Sequence, residues 1–201
     1  MKHMVDLFSG MGGASEAMAQ DEAWNVLRIE NNPLLANVPF TVIDDVNNVR
    51  ANVKSNWLVP KIDLIWASPP CTQFSGGFNS PKSKAARTVG LENYNPDLHL
   101  LHAALEIIEK VQPKYWVIEN VVGSIRYFKD ILGEPRQIIG PYVLWGNFPY
   151  LEVDESRLIR KQDKDSSPHP LRSNRRALVD FEVSRALKEA IENQTSIFDF
   201  D

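Results

Sequence analysis

The chain has 201 residues, of which 43% are hydrophobic and 24% charged, and its formal net charge is −4. This length fits one globular domain with a sizeable core, and the negative charge provides no global positive field that would draw the chain onto nucleic acid. The single cysteine excludes an intrachain disulfide and a zinc cluster built from several cysteines, and it favours a reducing compartment. With no signal-peptide pattern and no apolar run near the roughly 20 residues that span a bilayer, we expect a cytoplasmic protein without a membrane partner.

The chain opens with a predicted strand at 5–9, the glycine-rich run Gly10-Met11-Gly12-Gly13 and a helical stretch at 14–20. Glycines allow a tight turn and a close backbone approach to a ligand, and a helix N-terminus offers N–H groups. Such a run is weak evidence by itself because it occurs in many loops. Its position after the first strand is typical of a nucleotide-binding crossover.

Acidic residues end the next two predicted strands. The strand at 26–30 ends on Glu30, about 20 residues past the glycines, where a carboxylate can bind both hydroxyls of a ribose. A surface glutamate at a strand end is the alternative. After a short helix that begins at Pro33, the strand at 41–45 also ends on acids, and a short helix is predicted at 47–56.

The only cysteine follows a buried strand predicted at 62–67, in the run Ser68-Pro69-Pro70-Cys71. Neither proline can donate to a sheet ladder and each fixes its own φ, so Cys71 is predicted on a stiff turn at a strand's carboxyl end, where open α/β sheets bind ligands. A lone intracellular cysteine is more often a buried small hydrophobe than a nucleophile. The two prolines before the thiol and the polar residues after it favour a nucleophile, because a core cysteine needs neither.

Residues 76–95 are polar and show no apolar periodicity. A loop of this length inside a compact domain tends to be functional or mobile, so we interpret it as an active-site lid hinged at Gly76-Gly77, with Lys82, Lys84 and Arg87 available to phosphates. A surface excursion without function is the alternative.

A capped amphipathic helix and a fifth strand follow. Asp97 is predicted to cap a helix that Pro113 ends, and the strand at 115–120 ends on Glu119-Asn120. Because neighbouring parallel strands end at the same edge of a sheet, Glu119 can face Cys71. A helix at 122–132 and a strand pair at 137–146, bent at Gly140-Pro141, come next.

Basic residues crowd into the segment 154–176, to which we assign no regular structure. They are Arg157, Arg160, Lys161, Lys164, Arg172, Arg175 and Arg176. Such a patch can track phosphates, although a charged run is more often a solvated loop. A last helix at 181–191 is predicted to bury one face, formed by Phe181, Ser184, Leu187 and Ile191.

Alternating strands and helices predict an α/β fold with a mostly parallel, Rossmann-like sheet flanked by helices. We expect a single catalytic domain over residues 1–201. Its cofactor-binding and catalytic core lies at 4–150, the irregular basic segment at 154–176 and the C-terminal helix at 180–193.

Four motifs together resemble the cytosine-5 DNA methyltransferases, in a compact form of phage or bacterial type. Asp6-Leu7-Phe8-Ser9-Gly10-Met11-Gly12-Gly13 is similar to the motif that wraps the methionine part of S-adenosylmethionine. Glu30 matches the acid at the cofactor ribose, and Asp45-Val46 matches the pair at the adenine. Pro70-Cys71-Thr72-Gln73-Phe74-Ser75 matches the Pro-Cys-Gln motif with Thr72 in place of glutamine, and Glu119-Asn120-Val121 matches the Glu-Asn-Val triplet unchanged. The resemblance covers roughly residues 4–123.

The resemblance implies an S-adenosylmethionine-dependent methyltransferase fold that acts on cytosine-containing DNA, with no metal site. The implied cofactor-binding residues are Asp6, Leu7, Phe8, Ser9, Gly10, Gly12, Gly13, Glu30, Asn31, Asp45, Val46 and Pro70. The implied substrate-binding residues are Pro69, Gln73, Ser75, Asn120, Val121, Lys82 and Arg87. Cys71 and Glu119 are the implied catalytic residues.

The chemistry accounts for these two catalytic residue types. Cytosine C5 is a poor nucleophile toward a methyl sulfonium, and a thiolate that adds at C6 converts the ring into an enamine-like species that can attack the methyl group. Cys71 is the predicted nucleophile, and Glu119 is predicted to protonate or hydrogen-bond N3. The sequence does not identify the base that removes the C5 proton. A target base in a duplex must be flipped out, and residues 76–95 lie where the family's lid closes.

The chain departs from the family after Glu119. About eighty residues follow, too few for the family's target-recognition domain, and the Gln-x-Arg-x-Arg and closing Gly-Asn motifs are missing. The helix at 181–191 is expected in the place of the closing motif, against the cofactor. A protein partner or a homodimer would then supply target recognition.

Three functions stay open at this point. They are cytosine-5 methylation of DNA, the same chemistry on RNA or a free pyrimidine nucleotide, and a non-catalytic cofactor-binding subunit of another chain. The intact Cys71 and Glu119 argue against the last. The departures near the end of the chain also leave open a transferred group other than an unmodified methyl.

Overall fold

The computed structural model describes residues 1–53, 61–76, 80–159 and 167–194, which form a seven-stranded sheet with helices on both faces. The strands are β1 (Lys2–Leu7), β2 (Trp24–Glu30), β3 (Thr41–Ile43), β4 (Leu64–Ala67), β5 (Tyr115–Val121), β6 (Gln137–Ile139) and β7 (Tyr142–Asn147). The α-helices are α1 (Glu16–Ala19), α2 (Val46–Asn52), α3 (Pro81–Thr88), α4 (His99–Val111), α5 (Ile125–Leu132), α6 (Arg172–Arg176) and α7 (Phe181–Glu192). Every helix in these ranges is too short or too polar to cross a bilayer.

The strand order is β3-β2-β1-β4-β5-β7-β6. The first five strands in this order pair in parallel, and β7 runs antiparallel to both of its neighbours. This arrangement confirms the predicted Rossmann-like α/β fold. The strand order reverses between β1 and β4, and ligands of such sheets bind outside the carboxyl ends of the strands at this switch point.

The core lies on both faces of the sheet. All four residues of β4 are fully buried, because a parallel strand covered on both sides is apolar at every position. One face of the sheet packs with α1 and α7, and the opposite face packs with α2, α4 and α5. Helices on both faces of the sheet therefore hold its strands in place.

Two of the strands, β1 and β3, end slightly earlier than the sequence predicts. β1 ends at Leu7 because Phe8 has a φ of 59°, which leaves the extended region. β3 likewise ends at Ile43, before the two acids. The pair β6–β7 confirms the predicted bend at Gly140-Pro141.

The predicted lid contains regular structure. Within 76–95 the chain forms α3 and a short 3-10 turn at Leu91–Asn93, so the prediction of an irregular loop is wrong for this part. Ser80 caps α3 and Pro81 occupies its first turn, and both are sequence signals for a helix start. The helix buries no residue, which is why apolar periodicity did not reveal it. Gly77, one half of the predicted hinge, lies outside the described residues.

The basic segment is also partly regular. A 3-10 turn forms at Glu155–Arg157 and α6 follows, so the absence of regular structure predicted for 154–176 is wrong at these positions. The basic residues Arg160, Lys161 and Lys164 lie outside the described residues.

Two predictions for the long helices need correction. α4 begins at His99 with Leu98 at its N-cap position, and Asp97 instead accepts a hydrogen bond from the His99 N–H at 2.9 Å. Phe181 was predicted to lie on the buried face of the last helix but is 43% exposed. Phe181 is the first residue of α7, so its side chain lies past the N-terminal end of the face that α7 packs against the core.

The glycine turn after β1 packs directly against the chain before α7. A Cβ atom on Gly13 would lie 2.3 Å from the Val179 carbonyl oxygen and 2.7 Å from Leu178 Cδ1. Beside this contact, the Ala17 N–H donates to Ser184 Oγ at 3.0 Å. α7 is therefore anchored to the first crossover of the sheet.

We expect Gly13→Ala to lower the free energy of unfolding by about 1–3 kcal/mol, because the added methyl group meets backbone atoms that cannot rotate away. Urea denaturation measures this change. Gly76→Ala is the matched control, since its Cβ would have no atom within 4 Å. Equal destabilisation by the two substitutions would show that the contact with Val179 is unimportant.

Candidate active site

The Cys71 turn and the end of β5 lie side by side. Cys71–Gln73 form a 3-10 turn after β4, and Cys71 is partly exposed. Ala67 of β4 is paired with Ile118 of β5, so Glu119 is the next residue along the same sheet edge. Asn120 Nδ2 donates a hydrogen bond to the Pro69 carbonyl oxygen at 2.9 Å. The fold thus joins the two motifs that the sequence predicted to be neighbours.

Glu119 lies in a buried polar environment. It is 9% exposed. Burial and the contact with Asp180 raise the pKa of Tyr142, and the charge of Glu119 adds a smaller contribution in the same direction. The Tyr142 hydroxyl donates to Asp180 Oδ2 at 2.6 Å, and Asp180 also accepts from the Ile159 N–H at 3.3 Å. Tyr142 and Asp180 were missed from the sequence, because β7 and the start of α7 meet only in the folded chain.

The glycine turn is shaped by contacts inside the protein. Gly10 and Gly12 have φ values of 54° and 80°. A Cβ on Gly12 would lie 2.3 Å from Arg28 Cζ, and Gly13 abuts Val179. The prediction that these glycines allow a ligand to approach stays a prediction, and the structure shows that Arg28 and Val179 occupy the Cβ side of Gly12 and Gly13. Only at Gly10, among these three, is the space around a Cβ open within 4 Å.

Glu30 links the ends of β1 and β2. Its Oε2 accepts from the Gly10 N–H at 2.8 Å and its Oε1 accepts from the Asn32 N–H at 2.9 Å. A carboxylate offers about four lone-pair sites, so both oxygens can accept further hydrogen bonds, such as those of ribose hydroxyls. Asp45 caps α2 by accepting from the Asn47 N–H at 2.7 Å, and Val46 is buried.

Asp6 belongs to a buried polar network beside the glycine turn. It is 1% exposed and accepts a hydrogen bond from Ser15 Oγ at 2.6 Å. Ser15 Oγ in turn accepts from Arg28 Nε at 2.8 Å, and Arg28 Nη2 donates to the Gly12 carbonyl and to Glu16, both at 2.9 Å. Cofactor binding by Asp6 stays a prediction, and in the structure its buried carboxyl contacts Ser15. Arg28 and Ser15 were not predicted, since no local pattern marks a buried arginine.

The titration of Asp6 follows from its burial. Desolvation raises its pKa to about 7, and it outweighs the hydrogen bond from Ser15 and the charge of Arg28, which both lower the pKa. The proton on this carboxyl is therefore held more tightly in the folded chain than in the unfolded chain.

Besides Asn120, two further predicted substrate-binding side chains, those of Lys82 and Gln73, make internal contacts. Lys82 Nζ donates to the carbonyl oxygens of Phe74 at 3.3 Å and Gly123 at 3.4 Å, and the Gln73 side chain accepts from the Tyr94 hydroxyl. Phosphate binding by Lys82 and Arg87 stays a prediction, and Lys82 has a structural role besides. Arg87 lies on the exposed surface of α3.

A cavity of about 120 Å³ lies between the Cys71 turn and the start of α4, lined in part by Pro69, Gln73 and Leu98. It is too small for a nucleotide. A cavity of about 420 Å³ lies along β6 and contains none of the predicted site residues. In the described ranges, no group of three or more histidine, cysteine or acidic side chains could hold a metal ion.

Comparison with known proteins decides the family. The model of the C-5 cytosine-specific DNA methylases matches residues 2–129. The chain belongs to this family. The match confirms the family suggested by the four motifs, and it contains both motifs that meet at the Cys71 turn.

Curated relatives agree with this assignment. A Frog virus 3 (isolate Goorha) protein named "Probable DNA (cytosine-5)-methyltransferase" is 31% identical over 150 residues, which cover 73% of this chain and 65% of that protein. The type II methyltransferase M.AquIA of Picosynechococcus is 29% identical over 140 residues, covering 64% of this chain and 52% of that protein. The chain thus spans less than two thirds of the length of either relative. The solved structure of the Entamoeba histolytica methyltransferase EhMeth is similar with a TM-score of 0.47 and 16% identity, over 77% of this chain and 56% of that one.

Stability should depend on pH through Asp6. Because its pKa is about 7 in the folded chain against an ordinary 3.8, the stabilisation from its bound proton is complete below about pH 4 and is lost as the pH rises through about 7. We expect Asp6→Asn, which cannot ionise, to remove this component, so the variant gains stability relative to the wild type between pH 4 and pH 7. Urea denaturation across this range measures the difference, with the exposed Asp130→Asn as control. A difference for Asp6→Asn that does not vary with pH would contradict the assignment.

Proposed function

We propose that this chain transfers a methyl group from S-adenosylmethionine to C5 of cytosine in DNA. Family membership supports the class of reaction. The observation that carries the proposal is the hydrogen bond from Asn120 to the Pro69 carbonyl, which holds the Cys71 turn beside Glu119. The activity is proposed for this chain because it aligns with only 65% and 52% of the length of these two relatives.

The residues around the glycine turn fit the cofactor. Ser9 Oγ is buried and has no hydrogen-bond partner within the described residues, which is unusual for a buried hydroxyl. The space beside Gly10 is open, and Glu30 retains acceptor capacity for two ribose hydroxyls. We propose that the turn holds the methionine part, Glu30 the ribose, and Asp45 with Val46 the adenine.

We propose that Cys71 adds as a thiolate to C6 of the target cytosine. The electron pair of the C5–C6 double bond is then delocalised toward N3, where Glu119 protonates or hydrogen-bonds the ring. A bound cofactor would supply C5 with its electrophilic sulfonium methyl group, and the electron pair of the broken S–C bond would stay on the cofactor sulfur as a neutral thioether. A base then removes the C5 proton, and departure of the Cys71 sulfur restores the aromatic ring.

We further propose that a protein partner or a homodimer supplies target recognition, and that the protein acts in the cytoplasm as a single catalytic domain. RNA and a free pyrimidine nucleotide are the alternative substrates, and the net charge of −4 suits the small nucleotide better than a polyanion. A non-catalytic cofactor-binding subunit is the third possibility. The first experiment below separates the alternative substrates of a catalytic chain.

Cys71→Ala should abolish methyl transfer and preserve cofactor binding, because only the thiol is removed. Nucleoside mass spectrometry of DNA and RNA from cells that express either form measures the modification and identifies the transferred group. A cysteine-dependent mass gain on deoxycytidine supports the proposal, and a gain in RNA alone moves the substrate to RNA. Transfer by purified wild-type protein to a free nucleotide but not to DNA identifies the nucleotide as substrate. Modification by the Cys71→Ala variant would show that the nucleophile is wrongly assigned.

Glu30→Ala should weaken the binding of S-adenosylmethionine by about 1–3 kcal/mol, because charge-assisted hydrogen bonds are lost at the ribose and at the Gly10 N–H. Isothermal titration calorimetry measures the affinity. Glu22→Ala is the control, since Glu22 is exposed and is not among the proposed site residues. An unchanged affinity of the Glu30 variant would exclude the proposed ribose contact.

A further inference from the structure

Three consecutive carbonyl groups that follow Cys71 accept hydrogen bonds from one segment of the chain. We call residues 80–94 the arm. Ser80 Oγ donates to the Ser75 carbonyl at 2.8 Å, and Lys82 Nζ donates to the Phe74 carbonyl at 3.3 Å. The Tyr94 hydroxyl lies 2.9 Å from the Gln73 carbonyl oxygen and shares its one proton between this oxygen and the Gln73 side-chain oxygen. The arm therefore holds the C-terminal side of the Cys71 turn from both of its own ends.

Tyr94 is held in place by aromatic packing. Its ring meets the ring of Tyr127 edge-on, with centroids 6.0 Å apart and an interplanar angle of 87°. Tyr127 contacts Phe74 at 5.8 Å, and Phe74 packs edge-on against Phe128 of α5 at 5.0 Å. Phe74 is 3% exposed. The hydroxyl of Tyr94 thus projects from a packed base toward both acceptor oxygens of Gln73.

The two sides of the turn are held by different parts of the fold. On the N-terminal side, Asn120 donates to the Pro69 carbonyl. Within the turn, the Cys71 carbonyl accepts from the N–H groups of Phe74 at 3.0 Å and Ser75 at 2.9 Å. Gly123 leaves room for the Phe74 carbonyl, because a Cβ on Gly123 would lie 2.2 Å from that carbonyl oxygen. The position of Cys71 therefore depends on the groups that donate hydrogen bonds to these carbonyls.

We propose that Tyr94 is a positioning residue that acts through Gln73 to fix the Cys71 thiol for attack on the substrate ring. For the catalytic part, this inference rests on the proposed function. Position matters because a nucleophile displaced by about 1 Å can cost on the order of 100-fold in rate. The sequence predicted a phosphate-binding lid in this region. It did not predict hydrogen bonds from this segment to the turn that carries Cys71.

The first test measures the Cys71 thiol and needs no enzymatic activity. Cys71 is the only cysteine, so the rate of alkylation by iodoacetamide, followed by intact-protein mass spectrometry, reports on this residue alone. Tyr94→Phe removes the hydroxyl and keeps the aromatic packing. We expect alkylation to become about fivefold faster, the size expected for the loss of one hydrogen bond. Tyr150→Phe is the matched control, because Tyr150 is 68% exposed and lines the cavity along β6.

The second test measures catalysis with a cytosine-containing duplex. Tyr94→Phe should lower kcat about tenfold while the KM values for the duplex and for S-adenosylmethionine change by less than about twofold, since positioning acts on the reacting state. Lys82→Met should likewise make alkylation faster and lower kcat, because it removes the hydrogen bond to the Phe74 carbonyl. It keeps the proposal testable if the Tyr94 variant folds poorly.

The outcomes separate the two proposals. An alkylation rate of folded Tyr94→Phe that equals those of the wild type and of Tyr150→Phe would overturn the positioning role, and so would an unchanged rate of Lys82→Met where the Tyr94 variant does not fold. An inactive wild-type protein would instead count against the proposed function, and the alkylation rates would still decide the role of Tyr94.

Discussion

The parallel pairing of β4 with β5 is the constraint on which the candidate site depends. It sets Ala67 opposite Ile118, so the chain that leaves β4 and the last residues of β5 emerge at one point of the sheet. Two prolines then stop the ladder, because neither has an N–H to donate. Asn120 binds the carbonyl that Pro69 leaves without a strand partner. One hydrogen bond thereby connects the cysteine turn to the Glu-Asn-Val triplet.

Buried polar groups support the other half of the site. Arg28 is 1% exposed, and its guanidinium reaches Ser15, Glu16 and backbone carbonyls below the glycine turn. Burying such a charge costs free energy unless its donors are paired. Here the partners include the Gly12 carbonyl of the glycine turn and the Glu16 side chain of α1. The conformation of the glycine turn and the burial of Arg28 therefore depend on each other. Asp6 completes this network as a carboxyl whose proton is favoured by burial.

The arm gives the cysteine turn a support of a different kind. Its residues contribute little apolar area, and α3 buries none of its residues. Side-chain hydrogen bonds to carbonyls hold it in contact with the turn. Such contacts leave no periodic pattern in the sequence, so the region is predicted as an irregular lid even though Ser80 and Pro81 mark a helix start. The same reason explains α6, a short helix of polar and basic residues.

The sequence by itself determined the strand–helix alternation, the parallel sheet, the family and the residues Cys71, Glu119 and Glu30 as candidates. Continuous apolar runs, glycines, prolines and lone reactive side chains are local signals. Such signals can be read from the sequence without knowledge of the fold. Only the tertiary structure decided that Gly12 and Gly13 make room for Arg28 and Val179, that Asp6 lies under the turn, and that Tyr142 and Asp180 lie near Glu119. These contacts join residues far apart along the chain, and no propensity of either partner specifies them. The physical reason is that packing and the pairing of buried polar groups are properties of two surfaces brought together, which exist only after the sheet has formed.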